Sequence, residues 1–252
     1  MLTKDTAICI RATDFSETSQ IVTFFTEVTG KISAIAKGSK RPKSAFDGPI
    51  EMFSYGEIVF SGSTREKLAT LTEFGQQPAF THLCGNFFVL NCAFFAAELL
   101  NLLTDEYDPH PQLFNHSLSF LRNLNQLQTM DKKLRIINQE LSFLILFQLA
   151  LLKEIGLQPI LTACVNCKSV FNSNWAEIYF SSSANGLVCR DCEGSFSDKI
   201  KLTGIAANCL NNLREIADAD KKTLSEIEKI LVYHFTNTLG HPPKMARYIL
   251  NH

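Results

Sequence analysis

The sequence lacks an excess of either charge sign: across 252 residues, 24 Lys and Arg stand against 25 Asp and Glu, for a formal net charge of −1. A protein that held a polyanion with its whole surface would be strongly basic, so any such grip here must come from a local patch. Glycine-rich phosphate loops are also missing, with no GxxxxGK[ST] and no GxGxxG segment in the chain. An ATP-driven role is therefore not expected. The six histidines, His82, His110, His116, His234, His241 and His252, include no HExxH pair, so no zinc-hydrolase helix is offered. The segment MLTKDTAICIRATD has neither a long apolar stretch nor a small-residue cleavage site, which points to a cytoplasmic protein. The most apolar stretch, residues 83–103, is interrupted by Gly85, Asn86, Asn91, Glu98 and Asn101. An ionisable group inside a bilayer is costly, so this stretch reads as a helix buried in protein and not as a membrane span.

What the chain does contain is one dense run of a single charge sign. Residues 30–48, GKISAIAKGSKRPKSAFDG, set out Lys31, Lys37, Lys40, Arg41 and Lys43 before the first acid, Asp47. The front half alternates around Ile32 and Ile35 and predicts a strand over 31–37. Gly38 and Pro42, with the short hydroxyl side chains of Ser39 and Ser44, turn the back half into a loop. Cations delivered onto such a loop suit nucleic-acid phosphates, which bind Lys and Arg with release of counterions. The same composition also suits a solvated loop without a ligand.

Strands are predicted over 7–11, 20–27, 31–37, 51–61 and 68–74. Five short strands suit a small antiparallel barrel of the oligonucleotide-binding (OB) type. Phe46, Phe53, Tyr55 and Phe60 could offer faces to bases, but a barrel this small fills its interior with large side chains. Most of the four are therefore expected in the core, with Phe46 and Tyr55 the two whose exposure decides. Gln76, Gln77 and Pro78 mark a boundary, after which helices are expected over 80–103, 113–127, 132–155, 203–217 and 223–239. Asp105, Glu106 and Asp108, packed beside Pro109 and Pro111, read as a solvated turn in preference to a carboxylate metal site.

Two CxxC pairs, Cys164 with Cys167 and Cys189 with Cys192, are separated by residues 168–188. That spacing is typical of four-cysteine zinc sites, in which two knuckles complete a tetrahedron. Four thiolates leave no position for substrate or water, so such a zinc is structural. A redox reading would need one CxxC opening a helix in a thioredoxin-like setting, which is missing. Between the pairs, 177–181 predicts a strand and Asn185-Gly186 a tight turn into Leu187 and Val188. Cys9, Cys84, Cys92 and Cys209 fall in apolar patterns and read as small buried hydrophobes.

Residues 18–53 resemble the amino-terminal domain of the RecO family of bacterial recombination mediators, through the step at Thr26, Glu27, Gly30 and Lys31 and the Ala-Lys-Gly and Arg-Pro-Lys-Ser runs at 36–38 and 41–44. The succession FFAAELLNLL and the run YFSSSANGLVCRDC at 179–192 extend the resemblance along the chain. It implies an α+β protein: a five-stranded OB-fold barrel over 1–77, then an all-helical domain over 78–160 and 199–252 with a zinc-binding insertion at 161–198. It further implies a non-enzymatic DNA-repair mediator that binds single-stranded DNA and anneals complementary strands. Such a mediator works with RecR and the single-strand-binding protein SSB to let RecA load, in the cytoplasm and at the nucleoid during repair. Lys31, Lys37, Lys40, Arg41 and Lys43, with Arg11, are then the expected phosphate contacts. An acidic, apolar SSB tail is expected on the helical domain, with Lys132, Lys133 and Arg135 as carboxylate partners. The family's arginine pair further along this helix is not matched, Ile145 and Leu146 being apolar. Near the carboxyl end Gly240, Pro243 and Arg247 fit the family pattern. Met245 and Ala246 depart from it, and Lys244 lies one position from the usual lysine. The rival from another class is a zinc-stabilised adaptor that binds only proteins.

Overall fold

The computed structural model describes residues 2–42, 44–46, 48–62, 68–129 and 138–251. The chain divides into two compact units, one made of Met1–Asn86 and Ala96–Thr129, the other of Phe87–Phe95 and Met130–His252.

In the first unit, β1 (Leu2–Asp14), β2 (Gln20–Thr26), β3 (Lys31–Ala36), β4 (Tyr55–Ser61) and β5 (Ala69–Gln77) close a barrel in the order β1-β2-β3-β5-β4. All neighbours are antiparallel except β3 and β5. The period-two alternation sends Val22 and Phe24 of β2, and Ile32, Ala34 and Ala36 of β3, into one core with Ile58, Phe60, Leu71 and Phe74. Phe24 and Phe74 meet edge to face at 5.3 Å, while the alanines opposite leave them room in a narrow interior. Burial of each such ring contributes about 2 kcal/mol.

β1 serves two neighbours, pairing with β4 through its first half and β2 through its second, with a register shift between Cys9 and Arg11. This bulge inserts one residue, so Arg11 stands opposite Thr23 on the outer surface while Ala12, opposite Val22, returns to the core side. Three strands differ from the sequence expectation by more than a residue. β1 runs over Leu2–Asp14, beyond 7–11 at both ends. β4 starts at Tyr55 and not at 51, because Phe53 adopts a left-handed φ of 66° and donates its amide to Cys9 O. β5 runs on through Gln76 and Gln77, which pair with Gly56 and Tyr55. α1 (Phe87–Leu103) begins after a short 3-10 turn at Leu83–Gly85 instead of at 80, and α2 (Pro111–Thr129) buries Leu113, Phe114, Leu118, Leu121 and Leu124.

In the second unit, α3 (Gln139–Glu154) and α5 (Lys221–Leu239) bury most of their apolar residues. α5 starts where Asp220 accepts the Thr223 amide at 2.7 Å and stops at Gly240, whose φ of 75° suits glycine. A three-stranded antiparallel sheet joins β6 (Ile178–Ser181), β7 (Gly186–Cys189) and β8 (Lys199–Leu202) in the order β7-β6-β8. β8 is not foreseen in the sequence, since four residues of KIKL carry too little pattern. The helix expected over 203–217 is instead α4 (Gly204–Asn211) followed by a 3-10 turn at Leu213–Asp218. A short helix not expected from the sequence, α6 (Ala246–Leu250), follows Pro243. No helix among the described residues is long and apolar enough to cross a membrane.

Candidate nucleic-acid interface and metal centre

Lys31 departs from its expected role at the phosphate grip. It is buried, and its ammonium donates to the carbonyls of Asn101, at 2.7 Å, and Thr104. These carbonyls lie at the carboxyl end of α1, where unpaired C=O groups and the helix dipole favour a cation. Burial lowers the Lys31 pKa, with Glu106 and Asp105 acting in the opposite sense. Beside it, Gly30 (φ 86°) lies so close to the Asp108 backbone that a Cβ would collide with the Asp108 carbonyl. The Tyr107 amide donates to Lys31 O at 3.0 Å and Ser33 Oγ donates to Glu106 at 2.6 Å. The Gly30-Lys31 step is thus a joint between the barrel and the α1–α2 connection. The acidic turn is correspondingly less solvated than expected: Glu106 is bound by Ser33, and Asp108 faces His110 at 3.2 Å.

This joint divides the outer face of β1, β2 and β3. Phe25, Lys31 and Ser33 lie on the covered half, with Phe25 against Phe114 at 6.3 Å. The other half stays open: Arg11, Thr13 and Lys37 are exposed around Ile21 and Ile35, a half-buried cross-strand pair. Arg11, Lys37 and Arg41 are exposed and form no ion pair among the described residues. Lys40 is already engaged, with its ammonium 2.6 Å from Asp14. That contact is a surface pair worth at most about 1 kcal/mol, so a phosphate can compete for the lysine. Lys43 lies outside the described residues.

The loop is held in place from below. Buried Gln20 accepts from the Ile50 amide at 2.9 Å and from Ser39 Oγ at 2.9 Å, and donates to Ile50 O at 3.1 Å. The Lys40 amide donates to Thr18 O, and the Gly38 amide to Ser19 Oγ. The cation loop and the β1–β2 turn therefore form one rim. Of the aromatics singled out in the sequence, Phe46, Phe53 and Phe60 are buried, and Tyr55 is half-buried with its ring 6.2 Å from that of Phe80. The aromatic exposed at this rim is Phe15, at 60%, which the sequence reading passes over. Its signal was its setting: in DFSETS it has no apolar partner at strand or helix spacing.

Lys132, Lys133 and Arg135 lie outside the described residues. Within the second unit a cleft is lined by Phe88, Leu141, Ile249 and Leu250, together with Lys221 and Lys229 and the acids Glu140 and Glu228.

The four cysteines of the two CxxC pairs do come together. Their sulfurs all lie within 4.8 Å of one another, and Cys167 and Cys189 are 3.7 Å apart. A tetrahedron with metal–sulfur bonds of about 2.3 Å has edges of about 3.8 Å, so the donor set fits one tetrahedral metal ion. Lys168, at φ 61°, donates its amide to Cys164 O and closes the first knuckle. The end of β7 and the 3-10 turn Arg190–Ser195 supply the second. Burial alone would raise the Cys164 thiol. The amides of Cys189, Cys167 and Asn166 and the Cys167 thiol outweigh it and lower its pKa to about 6. Cys189 is pushed up to about 12 by burial and by the neighbouring Cys192 thiol. A divalent cation is what lets four such thiolates coexist. Cys9, Cys92 and Cys209 are buried, whereas Cys84, in the turn before α1, is exposed, contrary to the sequence reading.

Comparison with known proteins covers nearly the whole chain. The family model described as Recombination protein O N terminal matches residues 1–75, and that described as Recombination protein O C terminal matches residues 84–247. The chain is 32% identical to the DNA repair protein RecO of Alkaliphilus metalliredigens, over 92% of this chain and 86% of that protein. It is 29% identical to that of Bacillus pumilus and 28% identical to that of Bacillus subtilis, in each case over 99% of this chain and 94% of the relative.

Proposed function

Because the chain belongs to the RecO family of DNA repair and recombination proteins, we propose that it is a recombination mediator that binds single-stranded DNA on the open half of its barrel and anneals complementary strands. With RecR and SSB it promotes RecA loading, in the cytoplasm and at the nucleoid. The observation that carries this reading is the set of exposed cations without ion pairs among the described residues, with Arg11 on the open outer face of an OB-type barrel and Lys37 and Arg41 on its rim. These cations neutralise phosphates, and Lys40 joins them when a phosphate displaces Asp14. Lowering the repulsion between two strands is what lets their bases meet. Lys43 completes the set. The four cysteines hold zinc, which fixes the ribbon β6–β8 and takes no part in chemistry.

For the SSB tail, an acidic peptide ending in apolar side chains, Lys132, Lys133 and Arg135 are the proposed carboxylate partners; the cleft of the second unit offers apolar contact, but its two lysines are matched by Glu140 and Glu228. Charge reversal at Lys132 and Lys133 is expected to weaken binding of a labelled SSB-tail peptide, and unchanged affinity rejects those two partners.

The decisive experiment is fluorescence anisotropy with a labelled oligothymidylate across a salt series. Replacing Lys37 and Arg41 together by Ala is expected to flatten the slope of log affinity against log salt by about 1.4, at about 0.7 per phosphate contact on a single strand. An unchanged slope overturns the assignment. A protein that binds no oligonucleotide even at low salt is an adaptor for other proteins.

A further inference from the structure

We infer that Phe15 is a stacking platform for a nucleobase, next to the apolar pair Ile21 and Ile35 on the open half of the barrel face; this rests on the proposed single-stranded DNA grip and deepens it. Phe15 is 60% exposed in a turn otherwise built of polar residues. It is not a stray side chain on a free loop: its own amide donates to Ser19 O at 3.0 Å, and Ser16 N donates to the same oxygen at 3.2 Å. The next residues of that turn, Thr18 and Ser19, accept from the backbone of the cation loop at Lys40 and Gly38. The ring is thus tied to the same rim as Lys37 and Arg41.

The chemistry is complementary. Phosphates take the cations, and an unstacked base needs a flat apolar face to replace its lost neighbours, which an exposed phenyl ring supplies without reading sequence. Ile21 and Ile35 pair across β2 and β3 between Arg11 and Lys37, giving apolar contact along the strand's path. The other outward aromatic on these strands, Phe25, is covered by Phe114. That leaves Phe15 to do the stacking.

The test uses the full chain, oligothymidylate and an abasic oligomer of the same length, read by anisotropy across a salt series. Phe15→Ala is expected to weaken oligothymidylate binding about tenfold, to leave the salt slope unchanged, and to leave abasic binding equal to that of the unsubstituted protein. Phe15→Trp is expected to restore affinity, with its added fluorescence quenched by oligothymidylate. Circular dichroism confirms that both variants are folded. Unchanged affinity in Phe15→Ala, or an equal loss on the abasic oligomer, overturns the stacking role while the salt slope keeps the phosphate grip. An unsubstituted protein without salt-dependent oligonucleotide binding overturns the grip itself, and the stacking role with it.

Discussion

Lys31 and Lys37 bracket β3 and carry the same group, yet one is spent on the fold and the other is exposed. Sequence spacing could not separate them, because both lie on the outward side of the strand. The difference arises from the α1–α2 connection, which lies over one half of the face. Lys31→Met is expected to destabilise the protein by about 2–3 kcal/mol in urea unfolding, since two carbonyls lose a charged donor. The same variant should keep the salt slope of oligonucleotide binding, and a shallower slope would return Lys31 to the grip. A second residue invisible to pattern reading is Glu228, buried in α5 and bonded to Gln148 Nε2 at 2.8 Å. Burial raises its carboxyl to about 7, against the lowering effect of the Gln148 hydrogen bond. Because the folded pKa lies above the unfolded value, the folded state holds the proton more tightly. Its contribution to stability is complete below pH 4.5 and is lost as pH rises to about 7. Glu228→Gln is therefore expected to gain stability relative to the unsubstituted protein between pH 5 and 8, by up to roughly 3 kcal/mol. Parallel urea curves at the two pH values would reject this.

Among the elements, the barrel strands and the cysteine knuckles are the most legible, for different reasons. Alternation in 20–26 and 31–36 fixes which side chains enter the core, and the CxxC spacing fixes the sulfur cluster. What is not legible comes from distant contacts: β8 exists because β6 offers it an edge, and β4 is shortened because Phe53 turns back to Cys9. The ribbon buries Ile178, Phe180, Leu187 and Leu202 in addition to the Val188 cluster around the cysteines, so a bound metal would add to that apolar core chiefly by closing the two knuckles. The proposed zinc predicts about one zinc per chain by elemental analysis, none in Cys192→Ser or after a chelator, and amides of β6–β8 opened to hydrogen exchange by its loss. Retained protection there would show that the ribbon folds without metal. The joint at Gly30 is equally specific. Gly30→Ala, strained at its positive φ and blocked by Asp108, should cost about 2 kcal/mol or more in stability.

For the molecule as a whole, near-neutral charge and a small cationic rim set the scale of any interaction with DNA. Arg11, Lys37, Arg41 and Lys43 give an expected salt slope of about −2.8, and Lys40 about −0.7 more if it leaves Asp14. A much steeper slope in anisotropy titrations would place further phosphate contacts elsewhere on the chain. The sequence is enough to locate this rim but not its extent, since nothing in residues 30–48 says that the acidic turn at 105–108 shuts half of the neighbouring sheet. That closure has a kinetic meaning. A surface that can hold only a few nucleotides releases them quickly, and a protein that brings two strands together must leave once they have zipped. For the proposed annealing role brief residence is an asset: a half-shut sheet would keep the protein from becoming trapped on its own product.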